Sequence, residues 1–302
     1  MAILELHDVS KHFGDKSVLN GLDFSVPEGS IFGFVGENGV GKTTTMKMIL
    51  GLETIYSGSI LIDEKQVHYG DSIANKVVGY LPDVPEYYGY MTPIEYLTLC
   101  GRITGMDSGL LKTRINEMLK TVDLPIDKHR IHGFSRGMKQ RLGIAQALLN
   151  EPKLLICDEP TSALDPIGRS EFLNLLASLR GKTTIVFSTH ILTDVERIAD
   201  RVGILHDGVL KANDSLANLK QQFAKPQIVL TFASKDDATQ AGIVLGNNIQ
   251  IADKKVILNY TGKFETVAEV ILSSLLKEHL IPTSMNGQDT TLEDIFMEVT
   301  TS

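Results

Sequence analysis

Uninterrupted apolar runs mark the predicted strands of this chain. The clearest runs span residues 31–35 (IFGFV), 153–158 (KLLICD) and 183–189 (TTIVFST). Polar residues do not alternate with apolar ones there, so the runs predict strands buried on both faces of a parallel sheet. A glycine-rich turn and a helix-forming segment at residues 42–50 follow the first run directly, which predicts a strand, loop and helix unit.

Helical periodicity fills the segments between these strands. Thr92 and Glu95 have the spacing of a capping box, and an apolar stripe at residues 111–122 predicts a second helix. A third helix is predicted after Asp165, which precedes a proline. Strands that alternate with covering helices indicate an α/β core, with a mainly helical insertion at about residues 86–150.

The pattern changes after residue 214, where a polar, linker-like stretch begins. The elements predicted beyond it are strands at 228–232 and 255–260, a helix at 264–278 and a final helix capped by Thr290 and Glu293. We therefore expect a first domain of residues 1–214 and a small α+β accessory domain of residues 215–302.

Composition and charge narrow the classes of function. The 302 residues are 43% hydrophobic, enough for a full core, and the formal net charge of −8 disfavours nucleic acid as a partner. Cys100 and Cys157 have no metal-ligand spacing, which suits a reducing compartment. No apolar stretch approaches the roughly 18 residues of a spanning helix, and MAILELHDVS does not resemble a signal peptide. We expect any membrane role to depend on a partner.

A glycine-rich loop lies between the first predicted strand and its helix. Residues 36–43 (GENGVGKT) fit the pattern of glycine, four residues, glycine, lysine and Ser/Thr that cradles nucleotide phosphates. Glycines let backbone N–H groups and the positive helix N-terminus converge on phosphate. Lys42 is expected to neutralise phosphate charge, and the Thr43 hydroxyl to bind Mg²⁺. The loop alone does not distinguish kinases, GTPases and ATPases.

Candidate catalytic side chains follow the next two predicted strands. Asp158 and Glu159 stand at the end of one strand, where a parallel sheet opens its ligand crevice. Asp158 is a candidate Mg²⁺ ligand, and Glu159 is a candidate base for the attacking water. His190 ends the neighbouring strand and is a candidate partner for the terminal phosphate and the water. Singly, each of these residues is also compatible with a structural role.

Together these segments resemble the nucleotide-binding domain of ABC transporters, in order, over about residues 3–212. The discriminating segment is FSRGMKQR at residues 134–141, which stands where that family carries its signature loop. The resemblance implies a P-loop NTPase core of the ABC ATPase type, with a mainly parallel sheet, an antiparallel β-subdomain and a helical subdomain. It also implies ATP and Mg²⁺ as cofactors. By itself, the segment predicts only a capped helix start.

The resemblance assigns further roles. The signature residues Ser135, Arg136, Gly137 and Met138 are expected to complete the ATP site of a second subunit, in a homodimer or a heterodimer. Asp165 resembles the D-loop residue that links the two sites, and a role as helix cap is compatible with this. The expected ATP-binding residues are Phe13, Val18, Gly36, Glu37, Asn38, Gly39, Val40, Gly41, Lys42, Thr43 and Thr44, with Phe13 as the aromatic platform under adenine. A phenylalanine in a β-segment is core about as often.

Four positions, in three segments, depart from the family pattern. Asp83 replaces the usual glutamine that contacts Mg²⁺ and water, so its place among the metal ligands with Thr43 and Asp158 is an open question. Arg136 and Met138 replace the more usual Gly and Gln, a pattern similar to the drug-export and lipid-export branch. Glu37 replaces a common proline, and no physical reason is evident.

The function that the resemblance implies is ATP hydrolysis that drives export through a separate transmembrane permease. The subunit is then cytoplasmic and peripheral on the inner face of the cell membrane. Tyr87, Tyr88 and Tyr90 form a candidate permease contact, or a lid packed on the domain's own helices. Two alternatives are a soluble ABC-type ATPase acting on a ribosome or nucleic-acid complex, and a regulatory module that holds ATP without turnover.

Overall fold

The computed structural model describes residues 1–70, 73–224, 226–246 and 249–301. The chain divides into two compact units, one formed by Met1–Leu216 with the residues from Val299 onward, and one formed by Ala217–Glu298. The division falls two residues beyond the expected position at 214.

The strands and helices of the first unit alternate along the chain. Their bounds are β1 Ala2–Phe13, β2 Lys16–Pro27, β3 Ile31–Val35, α1 Lys42–Ile49, β4 Ser57–Ile62, β5 Lys65–Gln66, β6 Val78–Leu81, α2 Pro93–Ile103, α3 Ser108–Thr121, α4 Arg136–Leu148, β7 Leu154–Asp158, α5 Pro166–Ser178, β8 Thr184–Thr189, α6 Leu192–Ile198, β9 Arg201–His206 and β10 Val209–Ser215.

Two sheets form the scaffold of this unit. The larger has the strand order β10-β9-β3-β8-β7-β6, and all its pairs are parallel except that of β10 with β9. The smaller is antiparallel, with the order β2-β1-β4-β5. Helices α2 to α4 form the predicted insertion. The expected α/β class, with a mainly parallel sheet, an antiparallel subdomain and a helical subdomain, is confirmed.

The core lies between these two sheets. Strand β3 is buried at every position, as its unbroken apolar sequence predicts. Phe24 of the small sheet stacks on Phe32 and Phe34 of the large one, with ring centroids 5.2 and 5.7 Å apart. This packing holds β3, and so the loop that leaves its carboxyl end, in a fixed position.

The second unit is an α+β structure. Its elements are β11 Gln227–Thr231, α8 Lys235–Leu245, β12 Ile249–Ala252, β13 Lys255–Asn259, α9 Phe264–Lys277 and β14 Ser284–Gln288; helix α7 Leu216–Gln222 precedes them and helix α10 Leu292–Thr301 follows them. The sheet is antiparallel with the order β12-β13-β11-β14, a split βαβ arrangement.

The cap of the last helix differs from the prediction. Thr291 and Asp294, not Thr290 and Glu293, form the capping pair: the Asp294 N–H donates to Thr291 Oγ1 at 3.2 Å, and the Thr291 N–H donates to the Asp294 carboxylate at 2.8 Å. Both pairs have the same spacing, so the sequence pattern did not distinguish them.

Among the described residues, none of the helices combines the length and the apolar character required to cross a membrane.

Candidate active site

The glycine-rich loop connects the carboxyl end of β3 to the first residue of α1, as the sequence predicts. Gly41 has φ 117°, a left-handed conformation open to glycine, and it is the N-cap of α1. A Cβ on Gly36 would lie 2.6 Å from the carbonyl oxygen of Leu205, so this position also requires glycine. The loop therefore turns tightly against β9 and directs its backbone toward the N-terminus of α1.

Lys42 is held by the loop that precedes it. Its ammonium group donates to the carbonyl oxygens of Gly36 at 2.8 Å and Glu37 at 3.1 Å, and the residue is 5% exposed. The same Nζ lies 3.1 Å from Oε1 of Glu159. Glu37, which departs from the family pattern, thus contacts Lys42 through its backbone carbonyl, while the Glu37 side chain is exposed.

Asp158 and Glu159 leave the end of β7 in different directions. Asp158 is buried, and its carboxylate accepts a 2.5 Å hydrogen bond from Ser188 Oγ on the neighbouring strand β8. Glu159 has φ 46°, which is unfavourable for a residue with a side chain. Its N–H donates to the Ser188 carbonyl at 3.1 Å, which stabilises this turn. The strained turn separates the two carboxylates, although they are adjacent in sequence.

His190 completes a group of three charged or titratable side chains. Its Nδ1 lies 2.9 Å from Oε2 of Glu159, so the Glu159 carboxylate contacts Lys42 through one oxygen and His190 through the other. The Glu159 side chain is only 12% exposed, and that of His190 is 41% exposed. The carboxylate is thus fixed in orientation at the edge of a solvent-accessible pocket.

Asp83 lines the same pocket. Ser162 Oγ donates to its carboxylate at 2.9 Å, and Gln140 Nε2 donates to its backbone carbonyl at 3.0 Å. Ser162, three residues after Glu159, also lines the pocket, which the sequence pattern does not predict. Its proximity to Glu159 along the chain was the available signal.

One pocket collects nine of the residues expected from the sequence, but the candidate metal ligand Asp158 is not among those that line it. Its lining residues are Asn38, Gly39, Gly41, Lys42, Thr43, Thr44, Asp83, Glu159, Ser162 and His190. Thr43 is exposed here, immediately after Lys42. Side chains from the carboxyl ends of β3, β7 and β8 therefore converge with the N-terminus of α1, the usual ligand position in an open parallel sheet.

The signature residues line a separate pocket. Ser135 caps α4 by accepting a hydrogen bond from the Met138 N–H at 3.2 Å, and Asp165 caps α5 by accepting one from Gly168 at 3.3 Å. Arg136 and Gly137 line this pocket with them. Within one chain, the signature segment and Asp165 are thus brought together, but not with the phosphate loop.

Phe13 and Val18 lie on the hairpin of β1 and β2. The Phe13 side chain is 49% exposed at the end of β1. Val18 Cγ1 would lie 3.4 Å from a Cβ placed on Gly41, so the hairpin contacts the phosphate loop. Phe13 is therefore not a core residue, which was the alternative that the sequence left open.

The three tyrosines near Asp83 do not act together. Tyr87 packs edge-on against Tyr96 and donates a 2.7 Å hydrogen bond to the Lys139 carbonyl. Burial raises the pKa of its phenol well above the usual range. Tyr88 and Tyr90 are 54% and 63% exposed. For Tyr87 the alternative of a side chain packed on its own domain is correct, and only the other two remain available to a partner.

Comparisons with known proteins agree with this arrangement. Residues 19–162 match the family model described as ABC transporter. The chain is 34% identical to YxlF, an uncharacterized ABC transporter ATP-binding protein of Bacillus subtilis (strain 168), over 98% of this chain and 99% of the relative. It is 38% identical to BcrA, a bacitracin transport ATP-binding protein of Bacillus licheniformis, over 84% of this chain and 82% of the relative.

Solved structures give the same result. An ATP-binding subunit of an ABC transporter has a TM-score of 0.66 and 34% identity, over 73% of this chain and 93% of that one. A dimeric ATP-binding cassette in a post-hydrolysis state, bound to ADP and inorganic phosphate, has a TM-score of 0.61 and 25% identity, over 70% of this chain and 98% of that one.

The relatives named here are transport proteins, which favours the predicted transporter subunit over an ATPase of ribosomes or nucleic acid. Three findings lead to one conclusion: the 34% identity to a family member over nearly the whole of both chains, the matching cassette fold, and the glycine-rich loop between β3 and α1. This chain belongs to the ABC transporter family, as an ATP-binding and ATP-hydrolysing subunit.

Proposed function

We propose that this chain hydrolyses ATP with Glu159 as the general base and thereby drives export through a separate membrane permease. The observation that carries the proposal is the orientation of the Glu159 carboxylate between Lys42 and His190, at 3.1 and 2.9 Å, beside the glycine-rich loop. A carboxylate fixed in this way is positioned to take a proton from water at the terminal phosphate.

The phosphate loop supplies binding and charge neutralisation. Backbone N–H groups from Gly39 to Thr43 and the N-terminus of α1 bind the phosphate oxygens, since the helix end carries about half a positive charge. The Lys42 ammonium is pre-positioned by the Gly36 and Glu37 carbonyls, so little ordering is needed when a nucleotide binds.

The residues present fit Mg²⁺. Thr43 offers an exposed hydroxyl in the pocket, and Asp158 offers a buried carboxylate at the end of β7 that already accepts a hydrogen bond from Ser188 Oγ. Both are the hard oxygen donors that Mg²⁺ prefers. Asp83 is the third candidate, although its carboxylate accepts a hydrogen bond from Ser162. When bound, Mg²⁺ supplies charge neutralisation between the terminal phosphates.

His190 orients the base. Its Nδ1 contact with Oε2 of Glu159 limits rotation of the carboxylate, and its side chain, which is 41% exposed, lines the pocket. A neutral imidazole in this position donates one hydrogen bond from Nδ1 to Glu159 and accepts one from the water at its second nitrogen.

A second subunit completes the site in this proposal. Ser135, Arg136, Gly137 and Met138 begin α4 on a surface separate from the phosphate loop, which suits a contact made in trans. A related cassette is dimeric in a post-hydrolysis state, which supports the same assembly for this chain. Asp165 lies beside the signature residues and is the proposed link between the two sites.

Relatives named for bacitracin transport and lantibiotic transport support a role in transport, for which we propose export as the direction. The proposed partner is a transmembrane permease, which places the subunit on the inner face of the membrane. Tyr88 and Tyr90 are the proposed permease contacts, because they are exposed aromatic side chains within seven residues of Asp83.

Steady-state ATP hydrolysis by Glu159→Gln tests the catalytic assignment. The amide keeps the size of the side chain but does not accept the proton, so we expect kcat to fall by at least about 100-fold. Nucleotide affinity is expected to remain within about threefold, since the phosphate loop is unchanged.

Glu151→Gln is the matched control, because that side chain is 76% exposed and contacts Arg114 at 3.4 Å on the surface. We expect it to hydrolyse ATP at the wild-type rate. Equal rates for Glu159→Gln and Glu151→Gln would show that Glu159 is not the base.

A further inference from the structure

Lys11 is a buried lysine with an unusual set of neighbours. It lies on β1, and its side chain is 7% exposed. Its ammonium donates to Glu53 Oε1 at 2.8 Å and to Thr54 Oγ1 at 2.9 Å. The hydrogen bond from Lys11 is the largest of the effects that lower the pKa of Glu53. A buried ammonium needs such partners, so these contacts fix the position of Nζ.

The same ammonium contacts Phe13. Residues two apart on a strand point to the same side, and Lys11 Nζ lies 4.6 Å from the centroid of the Phe13 ring. This distance is within the range of a cation–π interaction, which is strongest when the cation is removed from water. One part of the ring is therefore held by a desolvated charge, while 49% of the residue stays open to solvent.

Lys11 also connects the two ends of the proposed nucleotide site. Glu53 follows α1, and the Leu52 N–H donates to the Lys47 carbonyl at 2.8 Å, which joins this segment to the end of that helix. The glycine-rich loop ends at Gly41, the N-cap of α1, and so leads directly into the other end of this helix. A rigid path of contacts thus runs from the phosphate loop through α1 and Glu53 to Lys11 and the Phe13 ring.

We propose that Lys11 is a positioning residue for the nucleotide base: it holds the Phe13 ring at a fixed place relative to the phosphate loop, so that the ring stacks on a purine without prior ordering. The inference rests on the proposed ATP site. A ring that is already immobilised loses less conformational freedom on stacking, which increases affinity for the base but not for the phosphates.

The test compares two ligands that differ in the presence of a nucleoside. Equilibrium binding of a non-hydrolysable ATP analogue and of inorganic tripolyphosphate, each with Mg²⁺, is measured for the full chain and its variants. We expect Phe13→Ala to raise the Kd of the analogue at least about fivefold, and Lys11→Met to raise it about three- to tenfold. Neither variant is expected to change the Kd of tripolyphosphate.

A double variant separates positioning from general damage. If Lys11 acts through the ring, Lys11→Met has no further effect on binding once Phe13→Ala is present. Lys11→Arg retains a cation beside the ring and is expected to keep at least half of the wild-type affinity. Lys65→Met, which removes the same charge from an exposed strand position, is the matched control and is expected to bind both ligands as the wild type does.

Other results overturn the inference. It is wrong if Lys11→Met weakens both ligands equally, if it is as harmful with Phe13→Ala as without it, or if it has no effect. Should Lys11→Met not fold, Glu53→Gln gives the same test. It removes the charge that holds the Lys11 ammonium, so we expect the same selective loss of affinity for the ATP analogue. A wild-type chain that binds neither ligand contradicts the proposed function itself, whereas an effect of Phe13 without one of Lys11 contradicts only this inference.

Discussion

Asp194 on α6 joins three segments around the proposed catalytic residues. Its side chain is 3% exposed. Its carboxylate accepts from Thr161 Oγ1 at 2.6 Å and from Arg169 Nε at 2.6 Å. Thr161 lies two residues after Glu159, Arg169 belongs to α5, and Asp194 lies four residues after His190. One buried carboxylate thus fixes the segments that carry the proposed base Glu159 and its contact His190.

We predict that Asp194→Asn strongly destabilises the first unit. Removing one partner of a buried ion pair costs about 3–5 kcal/mol, because the other charge is left without compensation. The Arg169 side chain is 28% exposed and regains some hydration, so we expect a loss of about 2–3 kcal/mol in the free energy of unfolding.

Urea unfolding followed by tyrosine circular dichroism is a suitable assay. The chain has no tryptophan, and seven of its eight tyrosines lie in the first unit, with Tyr260 as the exception, so the signal reports mainly on that unit. Asp123→Asn is the matched control. It breaks a pair with Arg141 at 3.3 Å in which the aspartate is 94% exposed, and we expect a change within about 0.5 kcal/mol. Similar losses in the two variants would refute the reasoning from burial.

Two further predictions concern tyrosines. Burial, followed by the nearby Asp158 charge, raises the pKa of Tyr80 to about 12, whereas an unfolded tyrosine has a pKa of about 10. Between these values the unfolded chain releases a proton that the native state keeps, so the free energy of unfolding decreases as pH rises. Urea unfolding of Tyr80→Phe should lack this part of the decrease, and an unchanged pH slope would contradict the assignment. Replacing both Tyr88 and Tyr90 with alanine should abolish transport in membrane vesicles while ATP binding stays intact; loss of both activities would contradict a docking role.

Features that depend on neighbouring residues in sequence could be predicted closely. Thr92 and Glu95 form the expected capping box, with the Thr92 N–H donating to the Glu95 carboxylate at 2.8 Å and the Glu95 N–H donating to Thr92 Oγ1 at 3.3 Å. The strand at 31–35 and the start of α1 at Lys42 agree with their patterns to the residue. Such contacts span three or four residues, so spacing along the chain is enough to identify them.

Contacts between distant segments could not be predicted in this way. The bond from Ser162 to Asp83 joins residues 79 positions apart, and that from Tyr87 to Lys139 joins residues 52 apart. Each depends on how the helical insertion packs on the parallel sheet. Spacing along one sequence carries no information on such pairs, so it does not distinguish the packed Tyr87 from the exposed Tyr88 and Tyr90.

Asp83 adds a second carboxylate to a pocket that is expected to bind negatively charged phosphates. Its carboxylate and that of Glu159 line the same pocket as the Lys42 ammonium, and Lys42 already contacts Glu159 at 3.1 Å. A glutamine at position 83 would add no charge, whereas aspartate adds one beside the expected phosphates. Repulsion between like charges is large in a partly desolvated pocket. We therefore expect the proposed binding of a triphosphate to depend more on the N-terminus of α1 and on Mg²⁺ here than in a relative with glutamine. The hydrogen bond that Ser162 Oγ donates offsets part of the negative charge of the Asp83 carboxylate.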